Sequence, residues 1–331
     1  MRNIWQETKE DLEKNYTPFS IVLELTRVCN LNCIHCYNIK DKAELSFVQI
    51  KKIASSLRKA GTLTLTLTGG EVFVIKDILE ILYFLKGLGF DLKIITNGTL
   101  LNKDLIKHLK SIYPSEIGVS LYGLSPLVHE KITRVRGSFQ KTFQTIKALK
   151  EEGLPVHIKT TLMKENFEEY PKIREFSQKL GLNYLLDPII SPKDDGSKSV
   201  LKHRLSFKKL REFYWEEFER IEDFEKRRCD AGFNFGAISA EGRVYPCIQF
   251  PWEVGNVFRE DFKKIWEESE VLRRFRERVN RGFSQCSSCE LYSYCSYCPG
   301  LSFLENRNPF SCYRLARFMA KVYKEYCEVK V

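Results

Sequence analysis

The sequence has no long apolar run that is free of charges. Residues 1–15 are mostly polar and charged, so we find no signal peptide and no segment long enough to cross a bilayer. There is no low-complexity segment and no repeat beyond a strand–helix unit. Hydrophobic residues make up 43% and aromatic residues 13% of the 331 residues, which excludes a disordered chain. We therefore expect a folded, cytoplasmic protein without a membrane partner.

Positive charge exceeds negative charge in this chain. Fifty-three Lys and Arg against 43 Asp and Glu give a formal net charge of +10. This balance favours acidic or phosphate-bearing partners but says nothing about the fold. Because no RNA-binding motif is appended, a nucleic-acid partner is not expected.

Strand and helix patterns alternate from residue 19 to residue 190. The strand patterns are Ser20–Thr26, Thr62–Thr68, Asp91–Thr96, Glu116–Leu121, Val156–Thr161 and Asn183–Pro188. The helix patterns are Ser46–Lys59, Asp77–Leu88, Lys103–Ser111, Gln140–Glu152 and Phe167–Leu180. Such alternation predicts an α/β fold with a parallel sheet and helices packed outside it. Six strands are too few for a closed eight-stranded barrel, so we expect a partial barrel or a strongly curved open sheet.

The pattern divides the chain into residues 1–190, 191–228 and 229–331. The polar segment Ser191–Ser199 breaks the alternation and is the best linker candidate, with Asp194 and Asp195 as solvated charges. An amphipathic stretch follows from Phe207 to Arg228. Seven of the eleven cysteines lie between Cys229 and Cys312, and a hairpin is expected at Ala237–Cys247. Its apolar residues look too few for a core of its own, so metal crosslinks would stabilise it.

Chemically distinctive residues follow the predicted strands at their carboxyl ends. In sheets of this kind the active site lies at that edge, on the loops that lead into the helices. These residues are Cys29, Cys33, Cys36, Gly69, Gly70, Glu71, Asn97, Ser120 and Asp187. We therefore expect them to form one site.

The first cysteine group is Cys29, Cys33 and Cys36, with C-x3-C-x2-C spacing. In the cytosol, clustered cysteines more often bind metal than form disulfides. Three thiolates can bind three irons of a [4Fe-4S] cluster and leave the fourth iron open to another ligand. A zinc site or three free thiols are the alternatives, although a zinc site would need a fourth ligand and the spacing of His35 does not suit that role.

At these residues the sequence resembles the radical S-adenosylmethionine (SAM) superfamily, from about residue 19 to residue 190. The resemblance implies a partial (β/α)6 TIM-like barrel whose open iron binds the amino and carboxylate groups of SAM. It also implies reductive cleavage of SAM to a 5′-deoxyadenosyl radical, which abstracts hydrogen from a substrate. His35 stands where the family often has an aromatic residue.

The resemblance also assigns SAM contacts. Gly69, Gly70 and Glu71 look like the segment that receives the SAM amino group, although Val72 stands where proline is common. The other residues that resemble cofactor contacts are Ser120 at the ribose, Arg134 at the SAM carboxylate and, more weakly, Asn97 and Met163. A strand-end hydroxyl and a surface arginine are the alternatives for the first two.

The cysteine-rich tail resembles the SPASM extension, which carries two auxiliary [4Fe-4S] clusters. The resemblance assigns one cluster to Cys286, Cys289, Cys295 and Cys312. The other cluster takes Cys229, Cys247 and Cys298. Because no cysteine lies between Cys36 and Cys229, this second cluster would have an open iron for a substrate group or a carboxylate such as Asp230. Two residues separate Cys295 from Cys298, where the family usually has three, and a pair of zinc sites is the alternative.

Two further residues are catalytic candidates. Asp187 ends the sixth predicted strand, either as a substrate-contacting carboxylate or as a hydrogen-bonded strand end. Cys327 is left over in a predicted terminal helix, either as a hydrogen-atom donor or, with more support, as a buried thiol.

Radical SAM enzymes with this extension commonly modify peptides, so we expect maturation of a ribosomally synthesised peptide. The partial barrel leaves a lateral opening that suits a polypeptide, and we expect a separate leader-peptide recognition protein and a low-potential electron donor such as ferredoxin or flavodoxin. The alternatives are maturation of a folded protein such as a sulfatase, a tetrapyrrole or cofactor step, and, in a different class, a non-catalytic iron–sulfur electron carrier.

Overall fold

One nine-stranded sheet runs through the part of the chain that this computed structural model describes, which is residues 12, 14–39, 41–220 and 229–330. The strands are β1 (Ser20–Thr26), β2 (Thr64–Gly69), β3 (Asp91–Thr96), β4 (Glu116–Ser120), β5 (Val156–Thr161), β6 (Asn183–Asp187), β7 (Phe235–Ile238), β8 (Arg243–Tyr245) and β9 (Gly255–Asn256). Their order in the sheet is β6-β5-β4-β3-β2-β1-β7-β8-β9. Strands β1 to β6 are all parallel, as the alternation predicts.

The helices pack outside the parallel strands, with their apolar side chains in one continuous core. They are α1 (Phe47–Lys59), α2 (Ile78–Gly87), α3 (Lys103–Ile112), α4 (Pro126–Thr133), α5 (Ser138–Glu151), α6 (Tyr170–Lys179), α7 (Phe207–Phe218), α8 (Phe262–Glu268), α9 (Glu270–Arg281), α10 (Ser284–Ser287), α11 (Pro299–Asn306) and α12 (Arg314–Lys330). No helix within the described ranges is long and apolar enough to cross a membrane.

The predicted helices are present with small shifts of their ends. Helix α1 begins one residue later than predicted because Ser46 is its N-cap, with a capping box to Gln49. Helix α4 was not predicted. Its start has an N-cap, Ser125, whose side chain accepts the Val128 amide, and a proline at the first helical position. Residues 221–228 of the predicted amphipathic stretch lie outside the described residues.

The tail contributes three strands to the same sheet. Strand β7 pairs in parallel with β1, with Ser20 opposite Phe235 and Leu23 opposite Ile238. The predicted hairpin is present, because β8 pairs antiparallel with β7. The expectation of a six-stranded sheet was therefore too small, and β1 is an interior strand. The division into parts at residues 190 and 228 stays a prediction.

The tail also has more apolar packing than the sequence led us to expect. Phe250, Phe262, Trp266 and Phe275 are each at most 2% exposed and belong to the same core as the barrel strands. The Trp266 ring nitrogen also donates to the Tyr16 carbonyl oxygen at 2.6 Å. The inference that the tail lacks enough apolar residues was wrong, because its aromatic residues are spread over helices that pack on β7 to β9 and on the barrel.

Candidate iron–sulfur and cofactor site

The first three cysteines lie on one loop that leaves the carboxyl end of β1. The loop closes at its base, where the Arg27 amide donates to the Ala43 carbonyl at 2.8 Å. Its middle is bonded to the end of α4. The Asn32 amide donates to Thr133 at 2.9 Å and the Ile34 amide to Ile132 at 3.0 Å. The unpredicted helix therefore holds the cysteine loop in place.

The three thiols lie near enough to influence one another. Burial, together with the neighbouring Cys36 and Cys29 thiols, raises the pKa of Cys33 to about 12. Burial likewise raises the pKa of Cys29. Thiols in this condition hold their protons, and a bound metal is what displaces such protons from cysteine. No two of the eleven cysteines form a disulfide, and all eleven lie in the described ranges.

Gly69 and Gly70 bring the end of β2 against the start of the cysteine loop. The Gly70 amide donates to Thr26 at 2.7 Å and the Glu71 amide to Val28 at 2.9 Å. A Cβ atom on Gly69 would lie 2.0 Å from the Thr26 oxygen, and one on Gly70 would lie 2.1 Å from the Val28 oxygen. Only glycine fits either position. The backbone at the end of β1 and at the start of the cysteine loop therefore requires both glycines, and their contact with SAM stays a prediction.

Glu71 is only 1% exposed, and its carboxylate joins β2 to the end of β3. It accepts the Thr96 hydroxyl and the Asn97 amide, each at 2.7 Å, and the Phe73 amide at 3.1 Å. Burial raises its pKa, while these three donors stabilise the charged form. Glu71 therefore fixes the turn that presents Asn97.

Asn97 connects this turn to the cysteine loop. Its side-chain amide donates to the Asn30 side chain at 2.9 Å and lies 3.9 Å from the Cys29 sulfur. Asn30 in turn donates to the Thr99 hydroxyl at 2.7 Å. The predicted residues Glu71, Asn97 and Cys29 are thus brought together, through Asn30 and Thr99, which sequence reasoning did not single out.

Ser120 and His35 meet at Tyr122, on the other side of the loop. The Tyr122 hydroxyl bonds with the Ser120 side chain and with the Cys33 thiol. The His35 ring packs edge-on against the Tyr122 ring, with centroids 4.9 Å apart. Burial lowers the pKa of His35 to about 4. Its buried Nδ1 has no hydrogen-bond partner among the described residues, so one polar atom within the cysteine loop is left unsatisfied.

The two remaining SAM candidates differ in exposure. Arg134 is exposed and follows α4 in a left-handed conformation, with φ of 59°, directly after the residue that binds the Asn32 amide. Met163 is fully buried, in a small apolar cluster with Tyr122 and Ile190 against which Cys33 packs. The SAM contacts of both residues stay predictions, and what the structure shows for Met163 is packing in the cluster that borders Cys33.

Asp187 lies at the carboxyl end of β6, where the pattern placed it. Its Oδ1 accepts the Ile189 amide at 2.9 Å, and burial raises its pKa. Cys327 lies in the predicted terminal helix, thirteen residues and hence about 20 Å along α12 from Arg314. The Trp215–Tyr326 ring contact places that end of α12 beside α7. Both roles stay predictions.

A buried acidic cluster under the cysteine loop was missed by sequence reasoning. Glu24, which is 1% exposed on β1, accepts a hydrogen bond from Tyr37, and burial with the nearby Asp194 raises its pKa to about 8. Burial raises the pKa of Asp194 to about 6. The earlier interpretation of Asp194 as a solvated charge was wrong, because its amide binds the Tyr37 carbonyl at 3.2 Å and draws the linker inward. The sequence feature that could have predicted this cluster is Glu24, a single glutamate within an otherwise apolar strand.

Arg27 is the cation of this acidic cluster. Its guanidinium contacts the Asp41 carboxylate at 3.0 Å and that of Glu241 at 2.8 Å, with 4% of its side chain exposed. Since Glu241 lies in the turn between β7 and β8, Arg27 ties the tail to the base of the cysteine loop.

The tail cysteines group as the resemblance implies for one set. Cys229 and Cys298 lie close enough to Cys247 to raise its pKa, which burial brings to about 12. A Cβ atom on Gly300 would lie 2.5 Å from the Gln249 oxygen, so this glycine lets the start of α11 pack on the segment after Cys247. Cys298 is the N-cap of α11 and accepts the Leu301 amide.

The other tail set surrounds two tyrosines. Burial raises the pKa of the Tyr297 and Tyr313 hydroxyls, and nearby thiols contribute to the rise, namely Cys298, Cys286 and Cys312 at Tyr297 and Cys298 and Cys295 at Tyr313. Cys289 follows on the same loop, its amide bonded to the Cys286 carbonyl at 3.1 Å. All four ligands therefore come from neighbouring segments.

The donor set fits an iron–sulfur cluster. Within the described residues, no three Cys, His, Asp or Glu side chains converge closely enough to bind a single metal ion. A cluster places a separate iron before each thiolate, so its ligands need not converge. Buried thiols, an unsatisfied His35 nitrogen and glycines fitted to the loop are what such a group requires of its surroundings.

Comparison with known proteins agrees with this site. Residues 23–177 match the Radical SAM superfamily and residues 229–299 match SPASM, an iron–sulfur cluster-binding domain. The chain is 31% identical over 306 residues to the subtilosin biosynthesis protein AlbA of Bacillus subtilis, covering 85% of this chain and 67% of AlbA. It is 27% identical over 318 residues to an AdoMet-dependent heme synthase of Methanosarcina barkeri, covering 85% of this chain and 91% of that one.

The fold is shared with solved structures as well. Streptococcus suis SuiB, crystallised with S-adenosylmethionine, matches with a TM-score of 0.72 at 19% identity, over 93% of this chain and 80% of SuiB. The family implies iron–sulfur clusters and SAM as cofactors. The chain therefore belongs to the radical SAM superfamily and is an enzyme with a partial TIM-like barrel followed by a SPASM domain.

Proposed function

We propose that this radical SAM enzyme matures a ribosomally synthesised peptide. The observation that carries the proposal is the cysteine loop at the rim of an open partial barrel, in a chain 31% identical to a bacteriocin biosynthesis protein. Within the described residues, β6 is an edge strand with a neighbour on one side only, so an extended chain segment can reach the rim from that open side.

In this proposal Cys29, Cys33 and Cys36 hold a [4Fe-4S] cluster whose open iron binds SAM. Such a cluster, when bound, supplies the electron that cleaves SAM to a 5′-deoxyadenosyl radical. Gly69 and Gly70 position the loop, and Glu71 orients Asn97 toward Cys29. Arg134 is exposed beside the loop and offers a forked cation to the SAM carboxylate.

The tail would hold two auxiliary clusters. Cys286, Cys289, Cys295 and Cys312 form a complete ligand set for one of them. Cys229, Cys247 and Cys298 supply three ligands for the other, which leaves one iron open to a substrate group. We infer as partners a separate leader-peptide recognition protein and a ferredoxin or flavodoxin as electron donor.

A tetrapyrrole is the second candidate substrate. It is favoured by the 27% identity to an AdoMet-dependent heme synthase that covers 91% of that relative. The two candidates share the cofactor chemistry and differ only in what occupies the space between the barrel and the tail.

Anaerobic reconstitution tests the proposal in two stages. First, the protein should bind iron and sulfide and cleave SAM to 5′-deoxyadenosine with a strong reductant, while a Cys29→Ala, Cys33→Ala, Cys36→Ala triple variant should not. Second, a candidate precursor peptide and an iron tetrapyrrole are incubated separately with the active enzyme, and the masses of the products are measured by mass spectrometry. A mass change in the peptide supports maturation. A change only in the tetrapyrrole refutes the peptide proposal in favour of the second candidate, and no SAM cleavage refutes both.

A further inference from the structure

A cavity of about 410 Å³ lies beside the carboxyl end of β6, apart from the cysteine loop. Its walls come from the segment after β6, from the start of α7 and from α11 and α12. This volume is within the range of small-molecule sites. The cavity is large enough for one or two side chains, or for one edge of a larger flat molecule.

The lining of the cavity is apolar apart from Ser206 and three charged side chains. The apolar part includes Ile190, Leu205, Leu210 and Leu315. Arg204 also lines it, but this guanidinium already donates to the Ile190 carbonyl at 2.7 Å and to the Glu305 carboxylate at 2.8 Å. The charges of Arg204 and Glu305 therefore balance each other.

Arg314 is the cation that remains. Its guanidinium lies over the Phe207 ring, 4.6 Å from the centroid, and the side chain is exposed at the cavity. Among the described residues no carboxylate lies within ion-pair distance of Arg314. The cavity thus combines an apolar interior with one uncompensated, forked cation, which complements an apolar group that carries a carboxylate.

The cavity and the cysteine loop border the same buried cluster. Ile190 lines the cavity and also belongs to the cluster with Tyr122 and Met163, against which Cys33 packs. Anchoring a remote part of the substrate is how an enzyme fixes the position of the reacting atom.

We propose that this cavity binds an apolar, carboxylate-bearing part of the substrate and that Arg314 pairs with its carboxylate. The inference rests on the proposed function and narrows its substrate class. The carboxylate has two sources, an acidic residue of a peptide or a propionate of a tetrapyrrole, and the two arms of the experiment separate them.

The test is equilibrium dialysis of the reconstituted holoenzyme, without reductant. One probe is coproporphyrin III, which carries propionates. The other is an acetylated tetrapeptide amide of two leucines, phenylalanine and glutamate, with its glutamine analogue as the uncharged control. Wild type is compared with Arg314→Gln, Arg314→Lys and the matched control Arg317→Gln, an exposed arginine on the same helix outside the cavity lining.

We expect Arg314→Gln to weaken the binding of one probe by about tenfold or more, because a charge-assisted ion pair is lost. Arg314→Lys should recover part of the affinity, and Arg317→Gln should bind like wild type. The probe that responds identifies the source of the carboxylate. The inference is overturned if the Arg314 substitutions change the affinity of neither probe. It is also overturned if the glutamine peptide binds as tightly as the glutamate peptide and porphyrin binding does not change in the Arg314 variants. SAM cleavage by the wild type without substrate is measured separately. Failure of the proposed function can therefore be distinguished from failure of the cavity to bind a carboxylate.

Discussion

Replacing Gly70 with alanine should remove the first iron–sulfur cluster while leaving the rest of the protein folded. The added Cβ would lie 2.1 Å from the Val28 oxygen. Restoring even a tight contact of 3.0 Å requires the two backbones to separate by about 0.9 Å, since real Cβ atoms essentially never come closer. The separation cannot be absorbed by a side chain, because the neighbour is backbone that also accepts the Glu71 amide.

The shift would act on the cysteine that follows. Val28 immediately precedes Cys29, and metal–ligand distances tolerate only about 0.2 Å. A displacement about four times larger should therefore detach Cys29 from its iron. We expect the electron paramagnetic resonance signal that responds to SAM to disappear and SAM cleavage to fall by about a hundredfold or more.

Gly87→Ala is the matched control. Gly87 is the last residue of α2, and an added Cβ there would meet nothing within 4 Å. The tail clusters should keep their iron in Gly70→Ala, because its close contacts are all with residues 27 and 28. If Gly70→Ala retains a SAM-responsive signal and wild-type cleavage, the close packing of β2 on the cysteine loop does not position the cluster.

Three further predictions concern the acidic cluster and the leftover cysteine. Because the pKa of Glu24 is raised from 4.5 to about 8, the native state binds a proton more tightly than the unfolded chain, so wild type should lose stability as pH rises from about 5 to 8. Glu24→Gln should reduce this loss of stability in anaerobic thermal melts. If the melting temperatures of the two proteins fell in parallel with pH, a raised pKa of Glu24 would be contradicted. Arg27→Gln should lower the free energy of unfolding by about 2 kcal/mol, since it removes a buried guanidinium that pairs with the partly exposed carboxylates of Asp41 and Glu241. Arg243→Gln at the half-exposed pair with Glu253 should cost under about 1 kcal/mol by urea denaturation. Equal losses in the two arginine variants would show that Arg27 does not balance the cluster. Cys327→Ser should keep wild-type iron content and 5′-deoxyadenosine yield, because this thiol belongs to none of the three assigned ligand sets. A loss of either quantity would show that Cys327 takes part in cluster binding or in the reaction.

The parallel strands were predictable because their signal is local. Each strand is a short β-branched run between turn residues, and the six predicted strands lie within two residues of their observed ends. The motif of the first three cysteines was equally easy to recognise, since all three lie within a segment of eight residues. Helix α4 was missed although Ser125 and Pro126 mark its start, because its eight residues fall between a strand and the longer helix α5.

The rest depended on contacts between residues far apart in sequence. No local pattern pairs β7 with β1, because four-residue strands carry little information about their partners. The polar composition around Asp194 predicted exposure, yet its contacts with Tyr37 and Arg27 draw it inward. Gly70 was predictable as a position of close approach, but its contact with the Val28 backbone was not, because sequence shows that space is needed without showing what fills it.

The pairing of β1 with β7 has a consequence for synthesis on the ribosome. Ser20 and its partner Phe235 are 215 positions apart in the sequence. The edge of β1 that pairs with β7 therefore stays unpaired while most of the chain is synthesised. At about 5 to 20 residues per second that interval is on the order of ten to forty seconds. An unpaired strand invites association with other nascent chains for as long as it is exposed. Newly made protein should therefore be most vulnerable to aggregation just before residues 235–238 leave the exit tunnel.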